Sequence, residues 1–299
     1  MKLRRSMLFV PGNNPGLIRD VHIYKPDSIM LDLEDAIAIT EKDSARLLVY
    51  NMLKELGDYY EELDIETVVR INALDTEFWR EDLEAVVRAG VDVIRIPKTD
   101  KAEDVSTVEN EVERIEKEIG KEIGSTKLMA ALESPMAVLN AYSIATSSKR
   151  LIGIALSGED FVTCMKTNRS IEGHELHAAR GMVVLAARAA GVSVHDTVYS
   201  DVNNDEGFIN EAKFIKQLGF DGKSLIHPRQ VELVHKVYTP NKKVIDKSYK
   251  IIKATEQAVA EGKGVFTVDG KMVDKPIIER AQHVLTLAKA SGINIGGEK

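Results

Sequence analysis

The chain has 299 residues, of which 44% are hydrophobic and 29% are charged, and its formal net charge is −7. Lys and Arg are interspersed with Asp and Glu in an ordinary globular composition, so the sequence predicts neither a nucleic-acid partner nor a disordered chain. The apolar runs are too short to span a membrane, and the single cysteine, Cys164, excludes an internal disulfide or a cysteine metal cluster. A cytoplasmic enzyme is the default expectation.

Eight short apolar runs, each followed by a helix-like segment, recur along the first four-fifths of the chain. They are rich in Val, Ile and Leu and alternate only weakly, which is typical of strands that are covered on both faces. In chain order they are residues 6–10, 28–33, 67–71, 91–96, 127–132, 151–156, 192–198 and 223–226.

The segments between these runs have helical patterns. Residues 103–119 carry Val and Ile at three- and four-residue spacing, residues 135–146 and 175–190 are rich in Ala, and Gly90 and Gly191 lie where helices are expected to end. Alternating strands and helices predict parallel pairing, and this number of units matches an α/β fold of the (β/α)₈ TIM-barrel type. An open doubly wound sheet is the alternative, but no Gly-rich dinucleotide-binding turn follows the first run.

A C-terminal extension, residues 241–299, is predicted beyond a catalytic barrel domain of residues 1–240. A helical pattern covers residues 241–261, and Pro276 opens a last helix. The segment 262–276 between them contains three glycines and little periodicity, so it is predicted to be a loop or lid.

Polar side chains follow the carboxyl ends of the predicted strands, which is where barrel enzymes place their active sites. Every end after the first carries an ionisable group, and this asymmetry predicts a polar ring at the barrel mouth. In chain order the residues include Pro11, Gly12, Asp32, Glu34, Asp35, Arg70, Asn72, Lys98, Glu133, Glu159, Asp160, Asp196 and His227.

Carboxylates dominate this ring, and such hard oxygen ligands favour Mg²⁺, with Mn²⁺ as an alternative, over Zn²⁺. Glu133 and Asp160 follow adjacent predicted strands and are the candidate metal ligands. Arg70 is a candidate for a two-pronged grip on a substrate carboxylate. The structural alternative is that these residues cap helices or form surface ion pairs. The three acidic residues after the second strand leave open which of them faces the site.

Nine motifs in this chain together resemble the citrate lyase β-subunit family. That family is a branch of the barrel lyases that act on acyl thioesters, which also include malyl-CoA and citramalyl-CoA lyases. The resemblance covers nearly the whole chain. The motifs are RRSMLFVPG, DLEDA, VRINALD, RIPKTD, ALESP, GEDF, DTVYSDVNN, GFDGKSLIHPRQ and GKMVDKP.

The resemblance implies cleavage of a citryl thioester, carried on an acyl carrier protein, into oxaloacetate and an acetyl thioester. It implies a Mg²⁺ ion on Glu133 and Asp160, a substrate-carboxylate arginine at Arg70, and a proton-transfer aspartate at Asp274 in the lid motif Asp-Lys-Pro. In related lyases that aspartate often acts in a neighbouring subunit's site. The resemblance also implies a homo-oligomer, commonly a trimer, with an acyl carrier protein subunit and a transferase subunit as partners.

Several roles stay open at the level of the sequence. Glu34 and Asp35 are candidates for the base that takes the substrate's hydroxyl proton, and the role of His227 is undetermined. Two rival functions also remain. One is a stand-alone lyase for malyl-, citramalyl- or citryl-CoA, and the other is a non-catalytic subunit that only binds a thioester as a scaffold.

Further residues are candidates for substrate binding. Pro11, Gly12 and Lys98 lie at strand ends and are predicted to contact the substrate. The thioester carrier must lie on the rim of the site, and Arg4 and Arg5, together with Lys98, are candidates for contacts with its phosphates.

Overall fold

The computed structural model describes residues 2–260, 265–293 and 295. Within them, eight parallel strands pair in chain order and close into a barrel, because β1 pairs with both β2 and β8. The strands are β1 (Ser6–Pro11), β2 (Ser28–Asp32), β3 (Glu66–Arg70), β4 (Val93–Ile96), β5 (Lys127–Leu132), β6 (Leu151–Leu156), β7 (Ser193–Asp196) and β8 (Gly222–Leu225). The predicted (β/α)₈ TIM barrel is therefore confirmed.

Helices connect successive strands. Gly90 and Gly191 have φ angles of 96° and 74°, so they terminate helices in the left-handed conformation, as predicted. The helices up to residue 238 are α1 (Pro15–Asp20), α2 (Lys42–Glu62), α3 (Trp79–Ala89), α4 (Ala102–Glu118), α5 (Pro135–Leu139), α6 (Ala141–Ala145), α7 (Gly158–Cys164), α8 (His177–Ala190), α9 (Asp205–Leu218) and α10 (Arg229–Tyr238).

The single helix predicted over residues 135–146 is two short helices, α5 and α6. Asn140 lies between them, and its side-chain amide donates to the backbone carbonyl of Asp100 at 2.8 Å. This bond anchors the chain to the loop after β4 at the point where one continuous helix was expected. Side chains that hydrogen-bond backbone groups in this way compete with a regular helix.

The barrel interior is packed in layers. One layer is formed by buried apolar side chains of five strands, Met7, Met30, Val68, Val93 and Met129. Because side chains alternate along a strand, residues two positions further on point the same way. The next layer toward the carboxyl ends therefore holds Asp32, Arg70 and Arg95, which are in register on β2, β3 and β4. The polar ring rests directly on the apolar core.

The chain divides into two compact units, Arg4–Val234, which contains the barrel, and His235 onward together with the first three residues. The boundary lies within α10 rather than at residue 240. The second unit contains α11 (Lys242–Ala260), β9 (Phe266–Val268), β10 (Lys271–Val273) and α12 (Lys275–Ala290). Across the described residues, no helix combines the length and apolar composition that a bilayer crossing requires.

The prediction of a loop over residues 262–276 is wrong for its central part. Strands β9 and β10 pair as an antiparallel hairpin, and Asp269 and Gly270 at its turn have φ angles of 49° and 73°. Asp-Gly is the sequence that such a two-residue hairpin turn favours, so the signal was present. Strands this short leave too little periodicity to detect. Residues 262–264 of the predicted loop lie outside the described residues.

Candidate active site

A cavity of about 420 Å³ lies at the carboxyl ends of the barrel strands. The polar ring predicted from the strand ends supplies part of its lining, including Pro11, Asp32, Asp35, Arg70 and Asp160. The floor of the cavity adds Arg95 and Phe9, which the strand-end pattern did not single out. The cavity thus brings together acidic and basic groups from separate segments of the chain.

Arg70 is held by the carboxylate opposite it on the neighbouring strand. Its Nε and Nη2 each donate at 2.7 Å to one oxygen of Asp32, and its Nη1 lies 3.0 Å from Glu34 Oε2 and 3.3 Å from Asp35 Oδ2. Burial favours the neutral acid, but the hydrogen bonds and charge of Arg70 outweigh it and lower the pKa of Asp32. The two-pronged pairing predicted for a substrate is therefore made with Asp32, and Nη1 contacts Glu34 and Asp35.

Glu34 and Lys98 line a second cavity of about 390 Å³, and Asp35 lines both this cavity and the first one. Lys98 Nζ lies 2.8 Å from Glu34 Oε1, and the backbone of Lys98 has a φ of 46°. Burial raises the pKa of Glu34 although Arg70 and Lys98 oppose that shift. Lys98 is thus paired with a carboxylate, which was the structural alternative to a phosphate contact. Glu34 keeps the raised pKa that a proton acceptor needs near neutral pH.

Glu133 is a buried carboxylate without a partner. It follows β5 directly, is 3% exposed, and neither of its oxygens has a hydrogen-bond donor among the described residues. Burial and the charges of Glu34 and Asp160 raise the pKa of Glu133 to about 7. Buried carboxylates are normally hydrogen-bonded or bound to a cation, so this orphaned group fits a metal ligand.

Asp160 was predicted to lie at a strand end. In the structure it lies in the first turn of α7. Helix α7 begins at Gly158, shortly after β6. The N–H of Gly158 donates at 2.8 Å to Thr197 Oγ1, which anchors the chain at this point. Acidic side chains are favoured in a first helical turn. Among the described residues no cluster of three or more His, Cys, Asp or Glu is arranged around one metal site. Two carboxylates would leave the remaining positions of an oxygen-ligated ion to water or substrate.

Gly12 supports the site without lining the cavity. Its N–H donates to the Asp32 carbonyl at 2.9 Å, and a Cβ at this position would lie 2.7 Å from the same oxygen. Only glycine allows this close approach of the chain after β1 to the end of β2.

Arg4 and Arg5 are at the opposite end of the barrel, so the hypothesis that they contact carrier phosphates is wrong. Arg4 pairs with Glu66 at 2.7 Å and Arg5 with Asp27 at 2.7 Å. Glu66 is the first residue of β3, and Asp27 directly precedes β2. Side chains that precede β1 point to the amino ends of the strands, whereas the cavity lies at the carboxyl ends.

Asp274 caps helix α12 in the second unit. Its Oδ1 accepts a hydrogen bond of 3.3 Å from the N–H of Ile277, and Pro276 occupies the first turn. The side chain therefore has a structural role as a helix cap, and the proton-transfer role stays a prediction. His227 accepts the N–H of Arg229 on its Nδ1 at 3.2 Å.

Arg95 is the residue that the sequence analysis missed. It lies on β4 opposite Arg70, lines the cavity and is 2% exposed. Burial and the charge of Arg70 lower the pKa of Arg95 to about 10. The signal was the inward-facing position of an arginine within the apolar run Val-Ile-Arg-Ile, one layer above Val93. A search of strand ends alone passes over it.

The chain matches the family model of HpcH/HpaI aldolase/citrate lyase over residues 5–228. It is 57% identical over 293 residues to the citrate lyase subunit beta of Haemophilus influenzae, covering 98% of this chain and 99% of that protein. The structure of protein CitE from Mycobacterium tuberculosis with magnesium, acetoacetate and coenzyme A is similar at a TM-score of 0.76 and 25% identity, over 96% of this chain and 98% of that one.

A second structure from the same organism, a citrate lyase beta subunit complexed with oxaloacetate and magnesium, is similar at a TM-score of 0.67 and 27% identity. It covers 80% of this chain and 100% of that chain. Family model, sequence identity and barrel geometry agree along the chain. This protein therefore belongs to the HpcH/HpaI aldolase/citrate lyase family.

Proposed function

We propose that this protein is a carbon–carbon lyase that cleaves a citryl thioester into oxaloacetate and an acetyl thioester with Mg²⁺, or Mn²⁺, bound at Glu133 and Asp160. The observation that carries the proposal is the buried, partnerless carboxylate of Glu133 facing the charge of Asp160, in the barrel that holds Arg70. Similarity to citrate lyase beta subunits, one of them solved with oxaloacetate and magnesium, supports it.

The chemistry requires one proton to leave an oxygen and one to reach a carbon. As the tertiary hydroxyl loses its proton, its oxygen becomes the ketone of oxaloacetate, and the electrons of the breaking carbon–carbon bond pass to the thioester enolate. A bound Mg²⁺ supplies Lewis-acid stabilisation of the keto-acid oxygens. Glu34, whose pKa is raised by burial, or Asp35 on the cavity wall accepts the hydroxyl proton.

Arg70 orients the keto-acid half of the substrate. Its guanidinium is fixed by Asp32, so Nη1 is already oriented when the substrate arrives, and a substrate carboxylate binds it in place of the exposed Asp35. Asp274 delivers a proton to the carbon of the acetyl enolate. Pro11, on the cavity wall, contacts the substrate, and Gly12 and Lys98 hold the walls in place.

The acyl group is carried by an acyl carrier protein in this proposal, and a transferase subunit loads it. The motifs of the citrate lyase branch and the 57% identity to a citrate lyase subunit beta support these partners. The chain is proposed to form a homotrimer. A stand-alone lyase acting on malyl-, citramalyl- or citryl-CoA is the alternative substrate class.

Purified protein incubated with citryl-CoA and Mg²⁺ tests the activity, with oxaloacetate detected through coupled NADH oxidation. We expect citryl-CoA to be cleaved and malyl-CoA to be cleaved poorly. Release of malyl-derived product at the higher rate would favour the stand-alone alternative. If no thioester gives product, including a citryl group on its carrier protein, the protein is the non-catalytic scaffold subunit of the second rival function.

Two matched arginine variants distinguish the loss of a substrate contact from the effect of disturbing a two-pronged ion pair. Arg70→Lys keeps the charge but loses the double contact with Asp32, so cleavage should fall about tenfold or more. Arg4→Lys makes the same change in a two-pronged pair with Glu66 at the far end of the barrel and should leave cleavage unchanged. Equal losses in both variants would contradict a substrate role for Arg70.

A further inference from the structure

The most unusual charge in the barrel is Arg95. It is 2% exposed, and its polar contacts are long: Nη2 lies 3.3 Å from Ser157 Oγ and Nη1 lies 3.7 Å from Met7 Sδ. Its Nε has no hydrogen-bond partner, and no carboxylate within the described ranges forms an ion pair with it. A buried guanidinium in this state is costly, because no carboxylate at ion-pair distance offsets its desolvation.

Three other buried cations have carboxylate partners. Lys223, which is fully buried, lies 2.9 Å from Asp196 and 2.6 Å from Glu211. Arg180 donates to both oxygens of Asp196 at 2.9 Å. Arg150 lies 2.7 Å from Glu116. These groups are structural because the fold supplies their counter-charges. At Arg95 the direct contacts are a hydroxyl and a sulfur instead, and the carboxylates whose charges act on it lie beyond ion-pair distance, so a ligand anion in the cavity can supply the close counter-charge.

The location of Arg95 limits what that counter-charge can be. Arg95 and Arg70 are in register on β4 and β3, and their guanidinium carbons lie 5.7 Å and 5.1 Å from the centre of the same Phe9 ring. Both line the cavity of about 420 Å³. Two cations side by side in a small cavity repel each other unless anions lie between or beside them. Arg70 forms ion pairs with three carboxylates, whereas Arg95 forms none among the described residues, and the charges of Glu133, Asp32 and Glu34 act on it only from beyond ion-pair distance.

We propose that Arg95 binds a second carboxylate of the substrate, the one at the far end of the keto-acid half, and so selects a dicarboxylic keto acid over a monocarboxylic one. This inference rests on the proposed function for the reaction type, and it adds the group that sets substrate choice. Arg70 orients the carboxylate next to the reacting carbon, and Arg95, beside it on β4, pairs with the carboxylate one methylene further on. A substrate that lacks this group leaves the guanidinium unpaired, and a site with an unpaired buried polar group rejects such an analogue strongly.

Citryl-CoA and citramalyl-CoA test the proposal because they differ at one position, where citryl has a carboxymethyl group and citramalyl has a methyl group. We expect the wild-type protein to prefer citryl-CoA. In Arg95→Met, which keeps length and removes the charge, kcat/KM for citryl-CoA should fall on the order of 10²-fold, while that for citramalyl-CoA stays within a few-fold or rises. Arg95→Lys should fall between the two, since it keeps the charge but not the planar fork.

A binding measurement keeps the test independent of catalysis. Titration calorimetry with Mg²⁺ present should show that wild-type protein binds oxaloacetate more tightly than pyruvate, and that Arg95→Met removes most of this difference. Met7→Leu, which changes the sulfur contact at nearly constant volume, is the matched control and should preserve it. Thermal unfolding of ligand-free Arg95→Met should occur at the wild-type temperature or above, because an unpaired buried charge is removed.

The possible outcomes are distinct. If Arg95→Met lowers the unfolding temperature and weakens both thioesters and both keto acids equally, Arg95 is structural and the proposal is overturned. If Arg95→Met keeps the citryl preference, another group binds the second carboxylate, and this result also overturns the proposal. If wild-type protein cleaves neither thioester, the proposed lyase function fails. The calorimetric comparison still decides whether Arg95 recognises the second carboxylate. Should Arg95→Met not fold, Arg95→Lys carries the same comparison.

Discussion

At the scale of single residues, Glu133 marks the candidate metal site because its buried carboxylate lacks hydrogen-bond donors. Its two carboxylate oxygens are buried without donors, although the same barrel satisfies the equally buried Glu116 with several. In the folded protein the pKa of Glu133 is raised to about 7, above its ordinary value of 4.5. The ion-free protein therefore loses stability as the pH rises from about 4.5 through about 7. Function and stability are in conflict at this residue.

We predict that Glu133→Gln stabilises the ion-free protein and abolishes metal binding. Above pH 7 the neutral amide removes the cost of burying a charged carboxylate together with its repulsion from Glu34 and Asp160, about 1–3 kcal/mol in all from the size of the pKa shift. Urea unfolding measures the stability, and calorimetric titration with Mg²⁺ measures the binding. Glu116→Gln is the matched control, and it should destabilise the protein while leaving Mg²⁺ binding intact. Unchanged Mg²⁺ affinity in Glu133→Gln would show that the ion binds elsewhere.

At the scale of elements, Glu116 joins the end of α4 to the start of β5. Its carboxylate pairs with Arg150 and accepts the N–H groups of Gly124 and Thr126, each at 2.9 Å. Burial opposes ionisation, but these hydrogen bonds and the Arg150 charge outweigh it and lower the pKa of Glu116 to about 2. The bonds close the αβ connection that sets the register of β5, and therefore the position of Glu133 at its end.

This shift predicts a window of acid destabilisation. The folded pKa lies below the ordinary value of 4.5, so the carboxylate contributes its stability in full above pH 4.5 and loses it as the pH falls toward 2. Glu116→Gln should cost on the order of 3 kcal/mol at pH 7, and the difference from wild type should vanish near pH 2. Unfolding free energies measured across this range test it. A difference independent of pH would mean that packing, not ionisation, carries the effect.

Helix α12 raises the question of whether its N-cap is also a catalytic group. Asn caps a helix about as well as Asp, so Asp274→Asn should leave the unfolding temperature unchanged. If Asp274 transfers a proton, cleavage should fall about 10²–10⁴-fold in this variant. Exchange of the methyl protons of an acetyl thioester with solvent should be lost as well. Asp274→Ala should lower stability in addition, by about 1 kcal/mol. Wild-type exchange and cleavage in the Asn variant would limit Asp274 to capping.

At the scale of the whole molecule, the open question is whether one chain supplies a complete site. Members of the family that the sequence resembles often use the lid aspartate in a neighbouring subunit's site. We predict that mixing inactive Asp274→Asn with inactive Glu133→Ala protein, under conditions of subunit exchange, restores partial activity. Some sites in the mixed oligomers would then combine an intact Asp274 with an intact Glu133.

Subunit exchange must be followed separately in that experiment, for example by energy transfer between labelled chains. Mixing either variant with itself is the control and should restore nothing. Confirmed exchange without any recovery would place the two residues in the same chain's site. The result does not depend on which thioester is used, provided that wild-type protein cleaves it.

The sequence by itself determined the barrel and most of the site's composition. Alternating apolar runs and amphipathic segments are local patterns, and their boundaries in the structure shift by only a few residues, as at residues 67–71 for Glu66–Arg70. The carboxyl ends of parallel strands must meet at one mouth, so Arg70 and Glu133 could be predicted as neighbours of that mouth from chain order alone. The Asp-Gly turn of the C-terminal hairpin was also present in the sequence, although its strands were too short to detect.

Only the tertiary structure decided which groups are paired. Arg70 and Arg95 are equivalent in the sequence, because each is the next-to-last residue of a predicted strand that ends in Arg-Ile. In the fold Arg70 faces Asp32, whereas Arg95 faces Ser157 and Met7. Likewise Glu116 and Glu133 are both glutamates in mixed surroundings, and only packing gives donors to one and none to the other. Pairing depends on distances between segments far apart in the chain, and desolvation makes those distances decide the charge state. Local sequence patterns contain neither quantity.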